Sequence, residues 1–272
     1  FAFRRNFKQE NSVLVMPYMV HLSNFPYPPG LLTGGKALRA RTLETTPHSA
    51  GVREYFPGDP LKRIHWPSTA RKERLMVKEF DQDPQADVWV FLDSQMAVHS
   101  RTQDEEKQKI DRFWLWRQKY EFKLPGDSYE YAASAAASIG GYFIRQGQSL
   151  GFVSAGQVFT ALAAERGERQ FSKILETLAF LKPEGALPLL GMVEAQVSNL
   201  PIGSIVVLIT PSTHQSVAMA ADALLIRKLR PLVVLIDANS FGGSGDYEKM
   251  IVLLKTRRVP VVVVRKDADL KW

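Results

Sequence analysis

The residues with the most chemical capacity stand close together early in the chain: Arg53, Glu54, Tyr55, Asp59, Arg63, Trp66 and Arg71. Pro57-Gly58-Asp59 among them has turn chemistry, with proline presetting φ and glycine accepting a positive value. Arginine forks pair with carboxylates through two parallel hydrogen bonds, so the block reads as a structural clamp whose aromatics bury against a sheet. Arg and Trp are also the residue types most enriched at binding hot spots, which makes a recognition surface the second reading. Both can hold at once.

Elsewhere the chain offers little that converges on catalysis. Ser154 in Gly-Phe-Val-Ser-Ala-Gly lacks the glycine two places before it that a nucleophile elbow needs, so a hairpin is expected there. The five histidines, at 21, 48, 65, 99 and 214, show no metal-binding spacing. Residues 241–246 (FGGSGD) precede a helix and could cradle a phosphate, but they lack the G-K-[ST] ending of a P-loop and read better as a flexible loop. Asp93 and Thr210 end two apolar runs, where open α/β sheets bind ligands. A crevice there, with His214 and Asp237, is the candidate small-ligand or enzyme site. The plainer reading of Asp93 is a cap on loop N–H groups.

The elements that must position these residues follow from periodicity. Residues 88–92 (VWVFL), 150–154, 204–210 (SIVVLIT), 232–237 (LVVLID) and 259–265 are continuous apolar runs, the pattern of strands buried on both faces. Residues 157–162 read as an edge strand. Asp127 with Glu130 opens a helix running to about Gln146, with Gly147 at its end. Gly140-Gly141 inside it costs about 1 kcal/mol per glycine relative to Ala, which implies close packing. Further helices are expected over 170–181, around Val217 to Leu225, and over 247–257. Strands alternating with helices imply an open, mostly parallel, Rossmann-like α/β sheet over residues 85–272, with a charged, aromatic insertion at about 100–123. Residues 1–84 read as a β-rich or extended segment, with weak strand alternation over 13–22.

Composition sets the outer bounds. A chain of 272 residues with 45% apolar content can bury a sizeable core without staples. It has no cysteine, which excludes disulfides, a thiolate nucleophile and Cys-ligated metals. The net charge of +7 belongs to the first 80 residues, where 13 Lys and Arg oppose 6 Asp and Glu; the other 192 residues carry 22 of each sign. That basic section could face nucleic acid, an anionic membrane or an acidic protein; nucleic acid is the weakest of these, for lack of a base-stacking pattern. No run reaches the ~18 apolar residues of a membrane helix, so a soluble piece of a longer protein is expected from a chain opening on Phe1.

Residues 51–80 with the strand ending in Asp93 resemble the bacterial and archaeal family called domain of unknown function 58. The resemblance rests on Arg53-Glu54-Tyr55, Pro57-Gly58-Asp59, Arg63, Ile64, Trp66, Thr69-Ala70-Arg71, Val77 and Glu79-Phe80, takes in residues 136–154, and covers most of the chain from about His21 on. It implies a von Willebrand factor A-like domain after a β-rich segment and an upstream membrane anchor; with such an anchor, the basic first 80 residues favour the cytoplasmic face of the cell membrane. It also implies a MoxR-type AAA+ ATPase as protein partner. Such domains bind Mg²⁺ through D-x-S-x-S and a distant Thr and Asp. Here the pattern is degenerate: Asp93 and Thr210 are present, but Gln95 and Ala97 replace the two serines, and Thr210-Pro211-Ser212 stands where T-D-G is usual. No metal, no cofactor and no catalytic residue is expected. The sequence leaves the oligomeric state open.

Overall fold

The computed structural model describes residues 14–25, 49–57, 59, 61, 64–80, 86–102 and 124–267. Two compact units emerge from the contacts, one formed by Phe1–Tyr27 with Asp87–Trp272 and the other by Pro28–Ala86.

The smaller unit is built on an antiparallel pair, β1 (Ser49–Glu54) and β2 (Met76–Phe80), with Arg53 opposite Val77. The short helix α1 (Trp66–Lys72) lies between them in sequence and starts with Pro67 in its first turn, where the missing N–H costs nothing. Thr69 Oγ1 on α1 accepts from Met76 N at 3.0 Å and ties α1 to β2.

In the larger unit six strands form one sheet in the order β5-β4-β3-β6-β7-β8. They are β3 (Val88–Leu92), β4 (Leu150–Ala155), β5 (Phe159–Glu165), β6 (Ile205–Thr210), β7 (Arg230–Ile236) and β8 (Val261–Val264). All neighbours are parallel except β4 and β5, which form the expected hairpin. This is a mixed, mostly parallel α/β sheet of Rossmann-like kind. The central strands are buried along their whole length, as both-face burial requires of continuous Val/Ile/Leu runs.

One face of the sheet carries α4 (Leu189–Gln196), α5 (Gln215–Ile226) and α6 (Tyr247–Thr256), packed with Trp89, Phe91, Val206, Leu208, Val233 and Leu235 in a single core. Helix α2 (Ser128–Arg145) packs against β3, β4, β6 and β7 and against α3 (Glu168–Phe180). Its Ala- and Ser-rich sequence is buried almost all round, and a Cβ on Gly140 or Gly141 would stand 3.1 Å from Leu150 or Phe171 respectively. The close packing that the glycines imply is therefore against α3 as well as the sheet.

Residues 14–22 form no strand, which corrects the alternation read there. They run extended without a ladder partner and dock instead on α2: Val20 N donates to Ser138 Oγ at 2.9 Å, and Leu22 and Phe25 are buried. Phe25 meets Phe143 edge-on at 5.8 Å. The edge strand begins two residues later than expected, at Phe159. The insertion expected at 100–123 falls, from residue 103 on, outside the described residues. No helix among the described residues is long and apolar enough to cross a membrane.

Candidate functional site

Strand order reverses between β3 and β6, so the carboxyl ends of these two strands flank the switch-point crevice. Asp93 follows β3 and Thr210 ends β6, and both are fully buried. The Thr210 hydroxyl donates to Asp93 Oδ2 at 2.7 Å, and Gln95 N donates to Oδ1 at 3.1 Å. Ser212 N donates in turn to Thr210 Oγ1 at 3.0 Å. Both carboxylate oxygens are thus occupied from within, and the capping role read for Asp93 is the one it performs. Burial pushes the Asp93 carboxyl above the usual range, with the Thr210 and Gln95 hydrogen bonds and the His99 ring opposing that shift.

His99 is the member of this cluster that its isolated place in the sequence concealed. A 3-10 turn over Met96–Val98 folds the chain back and brings His99 Nε2 to the Asp93 carbonyl at 2.8 Å. A carbonyl only accepts, so Nε2 carries the proton and Nδ1 takes the Ser128 hydroxyl at 3.1 Å. Ser128 Oγ also accepts from Ser100 N at 2.9 Å. Burial lowers the His99 pKa, which favours this neutral, doubly bonded ring. Tyr129 stacks edge-on with it at 5.1 Å, and burial pushes the Tyr129 hydroxyl up to about 12. Ser94 lies beside that hydroxyl and opposes the shift, although no hydrogen bond of sound geometry closes between them.

On the other side of β3, Ser94 and Ser154 share a hydrogen bond of 2.7 Å, and Ser154 passes its proton to the Leu92 carbonyl at 2.9 Å. Ser154 is a sheet tie, with no base beside it. The turn at residues 182–185 is tied to the loop after β3: Gly185 N donates to Ser94 O at 3.0 Å and Met96 N to Gly185 O at 2.9 Å. A Cβ at Gly185 would collide with the Ala155 and Ser94 carbonyls, so this close approach requires glycine. Of the other degenerate positions, Gln95 is half-buried, while Ala97 sits exposed in the 3-10 turn with no oxygen to offer.

His214 and Asp237 do not join Asp93. His214 is exposed and caps α5, its Nδ1 accepting from Ser216 N at 3.2 Å. Asp237 caps a 3-10 turn over Ala238–Phe241 and pairs with Arg265 at 3.5 Å. The loop at 241–246 is tied down by Gly243 N to Ala238 O and by Asn239 Nδ2 to Gly245 O, both at 2.9 Å.

The other group of singled-out residues lies in the smaller unit. Arg53 and Asp59 form the expected fork, two N–H···O bonds of 2.7 Å each, and Asp59 Oδ2 also accepts from Phe56 N at 2.9 Å. The guanidinium lies over the Phe56 ring at 5.7 Å. Glu54 pairs loosely with Arg74 at 3.4 Å, both exposed. Tyr55 is half-buried and its N–H bonds the Leu75 carbonyl, while Arg71 lies exposed at the end of α1. Trp66 was expected to bury; it is 66% exposed, as are Phe56 at 65% and Leu61 at 68%. Arg63 lies outside the described residues. The clamp therefore forms at Arg53–Asp59; of the block's two aromatics Tyr55 is half-buried and Trp66 projects.

Comparison with known proteins bears on this same stretch. Residues 51–112 match the family described as Protein of unknown function DUF58. The uncharacterized protein YeaD of Bacillus subtilis (strain 168) is 23% identical over 141 residues, which cover 52% of this chain. The match spans 28% of that curated relative's length. The family match is confined to 62 of the 272 residues. Two structures of proximal thread matrix protein 1 from the mussel byssus are similar at TM-scores of 0.42 and 0.40, with 14% and 13% identity. They cover 67% and 66% of this chain, and 44% and 43% of theirs. The DUF58 match thus takes in both the Arg53–Asp59 clamp and the start of the Asp93 cluster.

Proposed function

We propose that this chain is a non-enzymatic protein-interaction module with a von Willebrand factor A-like fold, carried by a membrane-anchored protein at the cytoplasmic face of the cell membrane. The observation that carries the reading is the exposure of Phe56, Leu61 and Trp66 around a turn held by a bidentate ion pair. A turn pinned by the Arg53–Asp59 fork that presents apolar and aromatic side chains to solvent has the composition of a docking hot spot. A MoxR-type AAA+ ATPase is the candidate partner, through family resemblance.

The strand-end cluster supports the non-enzymatic half of the reading. Asp93, Thr210, Ser94, Ser154, His99 and Ser128 satisfy one another, and Ser128, the hydroxyl that meets the His99 ring, is fully buried and also held by Ser100 N, out of reach of a substrate. A ligand-binding or hydrolytic role would require the Asp93–Thr210 bond to open. The reading therefore expects no stabilisation by Mg²⁺, Mn²⁺ or Ca²⁺. A metal bound at about 10 µM would add about 2.7 kcal/mol at 1 mM, so a thermal melt with each ion detects it.

The deciding experiment is affinity capture of the MoxR-type ATPase on the immobilised chain, repeated with Trp66→Ala and Phe56→Ala. Capture that fails with either variant while their melting temperatures hold supports the module. Equal capture by wild type and variants, or none by either, overturns it.

A further inference from the structure

Residues 81–272 are neutral as a whole, with 22 charges of each sign, yet one rim of the larger unit is not. The chain enters β6, β7 and β8 side by side: Gly203 N bonds Lys228 O at 3.1 Å, Arg230 N bonds Ser204 O at 2.9 Å, and Val233 N bonds Pro260 O at 3.0 Å. Onto this rim the ends of α5 and α6 and the start of β7 bring Arg227, Lys228, Arg230, Lys255, Arg257 and Arg258. Arg257 is paired with Asp222 at 2.9 Å; among the described residues the other five meet no carboxylate within ion-pair distance. Asp87, the next carboxylate along the rim, faces Arg166 and Ser149. Beside the cations stand Ile226 at 81% and Ile202 at 68% exposed.

Cations at helix carboxyl ends complement the helix dipole, and that alone would explain some of this charge. It does not explain the backbone. Lys228 and Arg258 both adopt φ of 59°, the left-handed conformation that ends helices and normally selects glycine or asparagine. The same cap recurs at both sites, with Leu229 N reaching Leu224 O and Val259 N reaching Leu254 O, each at 3.0 Å. Two adjacent caps thus hold a long cation where glycine would be less strained.

We propose that this rim is a contact surface for an anionic phospholipid bilayer. A bilayer offers phosphate headgroups to the cations and an acyl layer to the isolated isoleucines, with no fixed register to match. A nucleic acid backbone satisfies the cations and gives the isoleucines nothing. The proposal does not depend on the partner reading above.

The test is cosedimentation of the chain with phosphatidylcholine vesicles, with and without about one third phosphatidylglycerol, across a salt series. Lys228→Gly with Arg258→Gly removes two cations at positions glycine prefers, so the melting temperature should hold or rise. Binding to anionic vesicles should fall on the order of twenty-fold, from about five-fold per cation. Ile202→Ser with Ile226→Ser should weaken binding most at high salt, where the apolar contribution dominates. Binding that survives unchanged in the glycine variant would belong to the basic first 80 residues and overturn the proposal. So would equal binding to neutral vesicles, or an isoleucine variant that binds vesicles like the wild type and is displaced by duplex DNA.

Discussion

Thr210 donates its hydroxyl to Asp93 at 2.7 Å, joining the carboxyl ends of β6 and β3 across 117 residues of sequence. The bond crosses the point at which strand order reverses, where an open α/β sheet ordinarily leaves its ligand crevice. Here that crevice is bridged by the protein itself. Thr210→Val keeps the shape but strips a donor from Asp93 and an acceptor from Ser212 N. The expected cost is about 1–3 kcal/mol, read as a lower urea midpoint at unchanged slope. Thr210→Ser should retain most of the stability.

The Asp93 and His99 shifts predict opposite pH dependences. The folded Asp93 pKa is raised, so the native state takes up its proton first and gains stability as pH falls through that pKa toward the unfolded value near 3.9. The folded His99 pKa is lowered, so its contribution is complete above about 6.5 and is lost as pH falls below that. Urea unfolding of wild type, Asp93→Asn and His99→Gln over this range separates the two. On acidification wild type should gain on Asp93→Asn and lose ground against His99→Gln.

Gly151 lies under the indole of Trp89 on the neighbouring strand, and a Cβ there would come within 2.5 Å of the ring. Gly151→Ala should cost about 1–3 kcal/mol through overpacking. Trp89→Leu in the same chain should relieve part of that loss. A coupling energy above about 0.5 kcal/mol in the double-mutant cycle is the expected result.

Stability and surface chemistry should separate cleanly in the smaller unit. Asp59→Ala breaks the fork to Arg53 and the bond to Phe56 N, but the guanidinium is 35% exposed and can rehydrate. A loss of about 1 kcal/mol is expected. Trp66→Ala removes a mostly exposed ring and should change stability by less than about 0.5 kcal/mol.

Continuous apolar runs made the sheet legible, because a strand buried on both faces leaves no polar position to confuse with a helix. Helix α4 escaped notice because it is only eight residues long and Gly191 interrupts its apolar face. Helix α1 buries none of its residues, so it has no stripe to read. Asp93 and Thr210 could be found as strand ends. Their bond to each other, and the return of His99 to the Asp93 carbonyl, depend on loop geometry that no spacing encodes. Trp66 misled because aromatic character predicts burial only where a neighbouring element covers the ring.

The docking of residues 14–25 on α2 has a consequence for biogenesis. Val20 meets Ser138 across 118 residues, so the larger unit starts before Pro28–Ala86 is made and closes only after α2 and its strands have emerged. During synthesis the early segment must wait with Leu22 and Phe25 uncovered. Long-range closure of this kind slows folding and leaves apolar surface open to aggregation in the interval.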